Sequence, residues 1–303
     1  MAVLAFVDAQ TLVDAFGLGA VYALMAVGIG LVFGVLRLVN FAYGQLIMIG
    51  AYTLALTSTW PVAASVAMCF AVVVAASLAM ERVVFRPLRG QSPAVMLVTT
   101  FAVAFFLQAV ALLVDVRDDV IGEPAIAVAP LNQAITVHGV DVRKVTIVAV
   151  VAAAVALGVL ALLLTRTTIG LYTRAAAADF TTARLLGVRA NRVIAFSVLL
   201  SGILAGGVAV ILTVQFPLVT PDFALRDTIV VLVGVVVGGL DRLWTATLGG
   251  FTIGFATGVI NGALPTDKTV FLPSAVFALV IFVLLLRPAG LFTWGRGTTV
   301  DRL

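Results

Sequence analysis

The side chains that most often do chemistry are scarce here, and where they fall narrows what the chain can do. His138 is the only histidine and lies in a polar stretch, with Asp141, Arg143 and Lys144 close behind it. A solvated loop histidine is the plain reading. Cys69 is the only cysteine and sits in an apolar run, so neither an internal disulfide nor a cysteine metal cluster can form. No Asp, Glu, Lys, Arg or His occurs in 15–36, 38–80, 93–114, 145–165, 193–221, 228–240, 243–266 or 269–286. Those stretches offer no general base and none of the intramembrane ionisable relays on which proton and ion pumps depend. A GxxxxGK[ST] phosphate loop is missing, and the only lysines are Lys144 and Lys268. What remains are uncharged polar groups that interrupt apolar runs: Asn40, Tyr43 and Gln45 together, then Gln108 and Asn261.

The elements that must position these groups follow from composition. Of 303 residues 63% are apolar and 11% charged, with a mean hydropathy of +1.23. A soluble domain is nearer half apolar and a quarter charged, so the solvent of this chain is lipid. About twenty apolar residues cross the hydrocarbon core as a helix. The runs that qualify are 12–34, 38–57, 61–80, 93–114, 144–165, 191–213, 226–240, 243–263 and 269–287. None alternates apolar with polar as barrel strands do. The fold class is therefore an all-α polytopic membrane protein with eight or nine transmembrane helices. The run 226–240 is short and holds Gly234, Gly238 and Gly239, which suits a broken or re-entrant helix.

Sidedness follows from the loops, because cytoplasmic loops collect Lys and Arg. Segment 166–192 holds Arg166, Arg174, Arg184, Arg189 and Arg192 against Asp179, and segment 81–92 holds Arg82, Arg86 and Arg89 against Glu81. The tail holds Arg287, Arg296 and Arg302 against Asp301, whereas 115–144 has more acids than bases. The first three belong inside and the last outside, with the N-terminus outside and the C-terminus inside. Trp60, Trp244 and Trp294 fall at span ends, where interfacial aromatics sit. The start lacks the basic region of a cleavable signal peptide, so it reads as mature sequence. No linker interrupts the chain, which reads as one transmembrane domain over 1–303, with an external loop at 115–143 and a cytoplasmic loop at 166–192.

Smaller patterns add detail. Ile135 to Val142 alternates around His138-Gly139, a hairpin signal. Gly34-x-x-Arg37-Leu38 followed by Gly44 is echoed by Gly239-x-x-Arg242-Leu243 followed by Gly249, which suggests an internal repeat. Gly250, Gly254, Gly258 and Gly262 recur every four residues and form a groove on one helix face, read first as close packing and otherwise as a smooth wall of the transport path. In the cytoplasmic loop Asp179 can cap a short helix from Phe180 to Leu186, with Gly187 as its left-handed terminator and Arg184 and Arg189 near its negative end. Asn40, Tyr43 and Gln45 have two readings: a polar constriction on a solute path, or a helix cap beside two interfacial side chains. Gln108 and Asn261 could touch a solute, but packing hydrogen bonds explain them more simply.

The segment Leu36-Arg-Leu-Val-Asn-Phe-Ala-Tyr-Gly-Gln-Leu-Ile-Met-Ile-Gly-Ala-Tyr52 resembles the N-terminal signature of branched-chain amino-acid ABC importer permeases. Glu81-Arg-Val-Val-Phe-Arg-Pro-Leu-Arg89, Arg174-Ala-x-Ala with Ala183-Arg-Leu-Leu-Gly-Val188, and Arg287-Pro-x-Gly-Leu-Phe292 are similar to further family stretches in the same order. The resemblance implies a type II importer-like permease in a bacterial inner membrane. It implies a second permease subunit, identical or related, two cytoplasmic ATPases that hold ATP and Mg, and an extracytoplasmic solute-binding protein. It implies no cofactor or metal in this chain, no nucleic acid and no enzymatic activity. It makes the loop helix, with Arg174, Asp179, Phe180, Ala183, Arg184, Leu186 and Gly187, the element an ATPase would push. Tyr43-Gly44-Gln45 stands where relatives commonly have His-Gly-acid, and Ala178 where they often have Glu. The leading expectation is transport of branched-chain or other amino acids. Urea or short amides, or a stand-alone facilitator for a neutral solute, are the alternatives.

Overall fold

The computed structural model describes residues 8–36, 40–88, 91–118, 132–137, 140–178, 180–216, 218–239 and 243–286. Asp179, His138, Gly139, Arg89, the tail from Arg287 and the echo residues Arg37, Leu38 and Arg242 lie outside them, as do the side chains of Phe180 and Arg184. The elements are α1 (Ala9–Leu36), α2 (Tyr43–Leu56), α3 (Val62–Met80), α4 (Pro93–Asp118), β1 (Ala134–Val137), β2 (Val140–Arg143), α5 (Lys144–Arg166), α6 (Thr168–Ala178), α7 (Phe180–Leu185), α8 (Ala190–Gln215), α9 (Leu225–Gly238), α10 (Leu243–Ala263) and α11 (Leu272–Leu286). Among the described residues seven stretches are long and apolar enough to cross a membrane: Ala9–Val35, Val62–Phe85, Ala94–Leu113, Lys144–Arg166, Asn191–Gln215, Leu243–Ala263 and Lys268–Leu286.

Two of the expected spans, 38–57 and 226–240, form shorter helices. The expected span 38–57 is helical only from Tyr43, and its 14 residues cover about 21 Å of a core about 30 Å thick. The cause is local: the Asn40 side chain accepts the Ala42 N–H at 3.0 Å, a turn that competes with helix. The second short helix is α9, also 14 residues, at the place where the glycines of 226–240 foretold one. It ends at Gly239, whose φ of 99° suits a residue without Cβ. Helix also extends into segments read as loops. α3 continues as a π turn over Glu81–Phe85 because Phe85 is buried in the core, and α4 runs on to Asp118.

Helices α1–α4 and α8–α11 repeat one arrangement. α1 packs on α10 as α8 packs on α3, α1 meets α9 as α8 meets α2, and α2 lies on α3 and α4 as α9 lies on α10 and α11. The two sets run in opposite directions. The Gln10 side chain donates to the Asp141 carbonyl at 2.9 Å and accepts the Asp141 N–H at 2.8 Å. That bond pair holds the start of α1 on the side of the β1–β2 hairpin, whereas α8 begins on the side of α6 and α7. The hairpin pairs Val137 with Val140, which leaves only 138–139 to connect the strands.

The repeat carries a sequence trace other than the one noted. Asn40-Phe-Ala precedes α2 and Asp222-Phe-Ala precedes α9. Both triplets turn alike: Tyr43 N–H bonds the Asn40 carbonyl at 3.3 Å and Leu225 N–H the Asp222 carbonyl at 3.0 Å. The Gly34/Gly239 echo, by contrast, joins the α1–α2 connection to the α9–α10 connection, which are not equivalent elements. α1 is the central helix, 78% of its apolar window buried, whereas α5 and α11 at 17% and 11% are left for lipid or partner chains.

Candidate functional site

The first turns of the two short helices touch inside the bundle. A Cβ built on Gly44 would come within 2.5 Å of Thr228 Oγ1 and 2.9 Å of the Ala224 carbonyl. Only glycine lets the two backbones approach so closely. Depth is set by α1: Tyr22 lies 13 residues from Ala9 and 14 from Leu36, about 20 Å from either end. Its hydroxyl donates to Asp227 Oδ1 on the first turn of α9 at 2.7 Å. The start of α9, and with it the α2–α9 junction, therefore lies near the middle of the membrane.

The structure gathers three of the singled-out polar residues at this junction. Asn40 is 2% exposed and bonds the turn before α2. Tyr43 and Gln45, on the first turn of α2, are 0% and 1% exposed. That burial rules out interfacial positions for them, and Asn40 does not cap α2: the N-cap is Ala42, and the Asn40 side chain bonds the turn ahead of the helix. The Tyr43 hydroxyl abuts the backbone of Gly28, whose carbonyl accepts a 2.8 Å bond from Ser201 of α8. Neither the Tyr43 hydroxyl nor Gln45 Oε1 has a hydrogen-bond partner among the described residues. Phe41 closes the turn on α4, its ring centroid 4.6 Å from that of Phe101. Gln108 is half-buried on α4. Asn261 is exposed next to Gly262, which abuts Thr11 near the start of α1, well away from the junction.

Tyr22 and Asp227 did not stand out in the sequence: Asp227 lies one residue outside the acid-free stretch 228–240, yet the Tyr22 bond holds it inside the bundle. The expected span 226–240 begins with Arg226 and Asp227, which puts both at the edge of the membrane. The chain instead enters the bundle in non-helical form after α8 and begins α9 at depth. The parallel between Asn40-Phe-Ala and Asp222-Phe-Ala was the available signal.

The glycine face of α10 lies on α1. Gly250 abuts Ala26 and the Tyr22 carbonyl, Gly254 abuts Tyr22, Gly19 and Leu18, Gly258 abuts Ala15, and Gly262 abuts Thr11. On the α6–α8 side, α7 ends as a left-handed cap: Gly187 has φ 87° and the Val188 N–H bonds the Ala183 carbonyl at 3.0 Å. Ala183 is buried, Arg174 is exposed, and Leu185 and Leu186 are 83% and 81% exposed. Beside them a cavity of about 630 Å3 is lined by Ile169, Tyr172, Gly187, Arg189, Arg192, Val193 and Phe196. Among the described residues no group of three or more His, Cys, Asp or Glu could hold a metal.

Residues 11–287 match the family model described as branched-chain amino acid transport system / permease component. The chain belongs to this permease family. The permease is 29% identical to the high-affinity branched-chain amino acid transport system permease protein BraD of Pseudomonas aeruginosa, over 93% of this chain and 94% of that protein. It is 28% identical to the protein LivH of the same description from Escherichia coli K12 and 26% identical to LivH of Salmonella typhimurium, each over 93% and 94%. No solved structure matches it. As an ABC permease component it is a multi-pass, non-catalytic membrane subunit that binds no cofactor of its own.

Proposed function

We propose that this permease carries an amino-acid solute across a bacterial inner membrane through the α2–α9 junction, with ATP hydrolysed on docked partner subunits. The observation that carries the reading is the meeting of two half-helix first turns near the midplane, with the Tyr43 hydroxyl and Gln45 Oε1, both on the first turn of α2, buried without partners among the described residues. Half-helix N-termini at the midplane are how many transporters build a solute site. A buried polar group without a partner costs about 1–3 kcal/mol. Two such groups on one turn of α2 are explained if a passing solute or its water supplies the missing bonds.

Charge assigns the sides. The α6–α8 face carries Arg166, Arg174, Arg189 and Arg192 and faces the cytoplasm, and the hairpin faces out toward a solute-binding protein. On the inner face α7, the exposed Leu185 and Leu186 and the neighbouring cavity form the docking surface for an ATPase, with Phe180 as a further apolar anchor. A second permease subunit completes the path. The test is uptake by the assembled importer in proteoliposomes. Gln45→Ala lowers solute uptake severalfold while the ATPase still co-purifies. Wild-type uptake by this variant across a range of solute concentrations returns Gln45 to a packing role.

A further inference from the structure

Asp227 is a carboxylate near the middle of the membrane, and nothing in the transport path as drawn so far uses it. An ionised group at that depth is costly and persists where it faces protein or a water-filled path. The structure shows what holds it. Tyr22 donates a 2.7 Å bond to Oδ1, and the first turn of α9 places the positive end of the helix dipole beside the carboxylate. Tyr22 itself is fixed. It is 3% exposed, with Gly250 against its carbonyl and Gly254 against its Cβ.

Asp227 is also not fully enclosed. Asp227 remains half-buried, while Tyr22 and Thr228 on either side of it are fully buried. Thr228, the next residue, touches Gly44 in the first turn of α2, the turn that carries Gln45. The carboxylate therefore stands one residue from the point where the two half-helices meet. Its bonded partner is a neutral hydroxyl, which orients the carboxylate without cancelling its charge.

We propose that Asp227, oriented by Tyr22, receives the ammonium group of the solute as it passes the α2–α9 junction. The inference rests on the reading that solute passes this junction, and it deepens that reading: the path selects solutes that carry a positive nitrogen. A charge-assisted N–H to carboxylate bond is about twice as strong as its neutral counterpart, so the site distinguishes an amino acid from the same skeleton without its amine.

The test uses the complete importer in proteoliposomes, with radiolabelled L-leucine, leucinamide, 4-methylpentanoate and urea as probes. Asp227→Asn keeps an oxygen that can accept the Tyr22 bond and removes only the charge. The expected result is uptake of leucine and leucinamide by the wild type, at least a tenfold loss of both in Asp227→Asn, and unchanged ATPase co-purification and basal ATP hydrolysis. Asp227→Asn that moves leucine at the wild-type rate overturns the inference and leaves the function standing, because the carboxylate then only pins α9 to α1. A wild type that moves urea but neither amine overturns both. Should Asp227→Asn not assemble, Asp227→Cys in a Cys69→Ser background decides. Protection of that cysteine by leucine, but not by 4-methylpentanoate, from an ammonium-bearing thiol reagent supports the site. Equal labelling with and without leucine contradicts it.

Discussion

Gly254→Leu attacks the contact on which the central helix depends. A Cβ at residue 254 would lie 2.8 Å from Tyr22 Cβ and 2.9 Å from both Gly19 Cα and the Leu18 carbonyl. Two of those three atoms are backbone, so no rotamer change relieves them. Ordinary carbon contacts are about 3.5–4.0 Å, and α1 and α10 would have to separate by roughly 0.7–1 Å for the first carbon alone. Overpacking of this kind costs about 1–3 kcal/mol, offset in part by up to about 1 kcal/mol of helix preference over glycine. Gly254→Ala should therefore be destabilised by about 1–2 kcal/mol. Gly254→Leu, with three more carbons to place, should fail to assemble. Separation also draws Tyr22 from Asp227, stretching their bond toward about 3.5 Å, the edge of hydrogen bonding. The assay is thermal stability of the purified permease beside uptake by the importer. Gly34→Ala is the control, because a Cβ there meets nothing within 4 Å. If Gly254→Leu is as stable and active as Gly34→Ala, α10 does not lie on α1 as described.

The sides and the docking surface have their own tests. In a Cys69→Ser background, Thr136→Cys on the hairpin should react with an impermeant thiol reagent from outside, and Leu185→Cys only after permeabilisation. The reverse pattern inverts the topology. Phe180→Ala, and Leu185→Ser with Leu186→Ser, should reduce ATPase co-purification and uptake without loss of insertion. A buried apolar side chain of this size contributes about 1.5–3 kcal/mol, so the effect of each should exceed that of Asp179→Ala, a lost cap worth about 0.5–2 kcal/mol. Full co-purification in every variant moves the motor to the basic segment 81–92.

The parts of the fold set by local chemistry were legible in the sequence. Apolar length gave the long helices, alternation gave the hairpin, and Gly187 marked the end of α7 because its left-handed φ suits glycine. Tyr43 and Gln45 stood out because polar groups interrupt an apolar run. The rest depended on contacts between distant segments. Whether α2 began at 38 or at Tyr43 was decided by one Asn40 turn, which hydropathy averages away. Asp227 read as the edge of span 226–240 because its depth comes from Tyr22, 205 positions away in the chain. The inverted repeat was hidden because packing, rather than sequence, carries the correspondence, apart from Asn40-Phe-Ala and Asp222-Phe-Ala.

The most direct test of the account is the energy source of transport. The purified complex of this permease with its partner permease, ATPases and binding protein is reconstituted in liposomes, and uptake of radiolabelled L-leucine is followed with ATP on the ATPase side. The account requires accumulation against the gradient that stops when ATP is replaced by a non-hydrolysable analogue. Equilibration of solute at the same rate without ATP or ATPase subunits would contradict it and make the chain a facilitator.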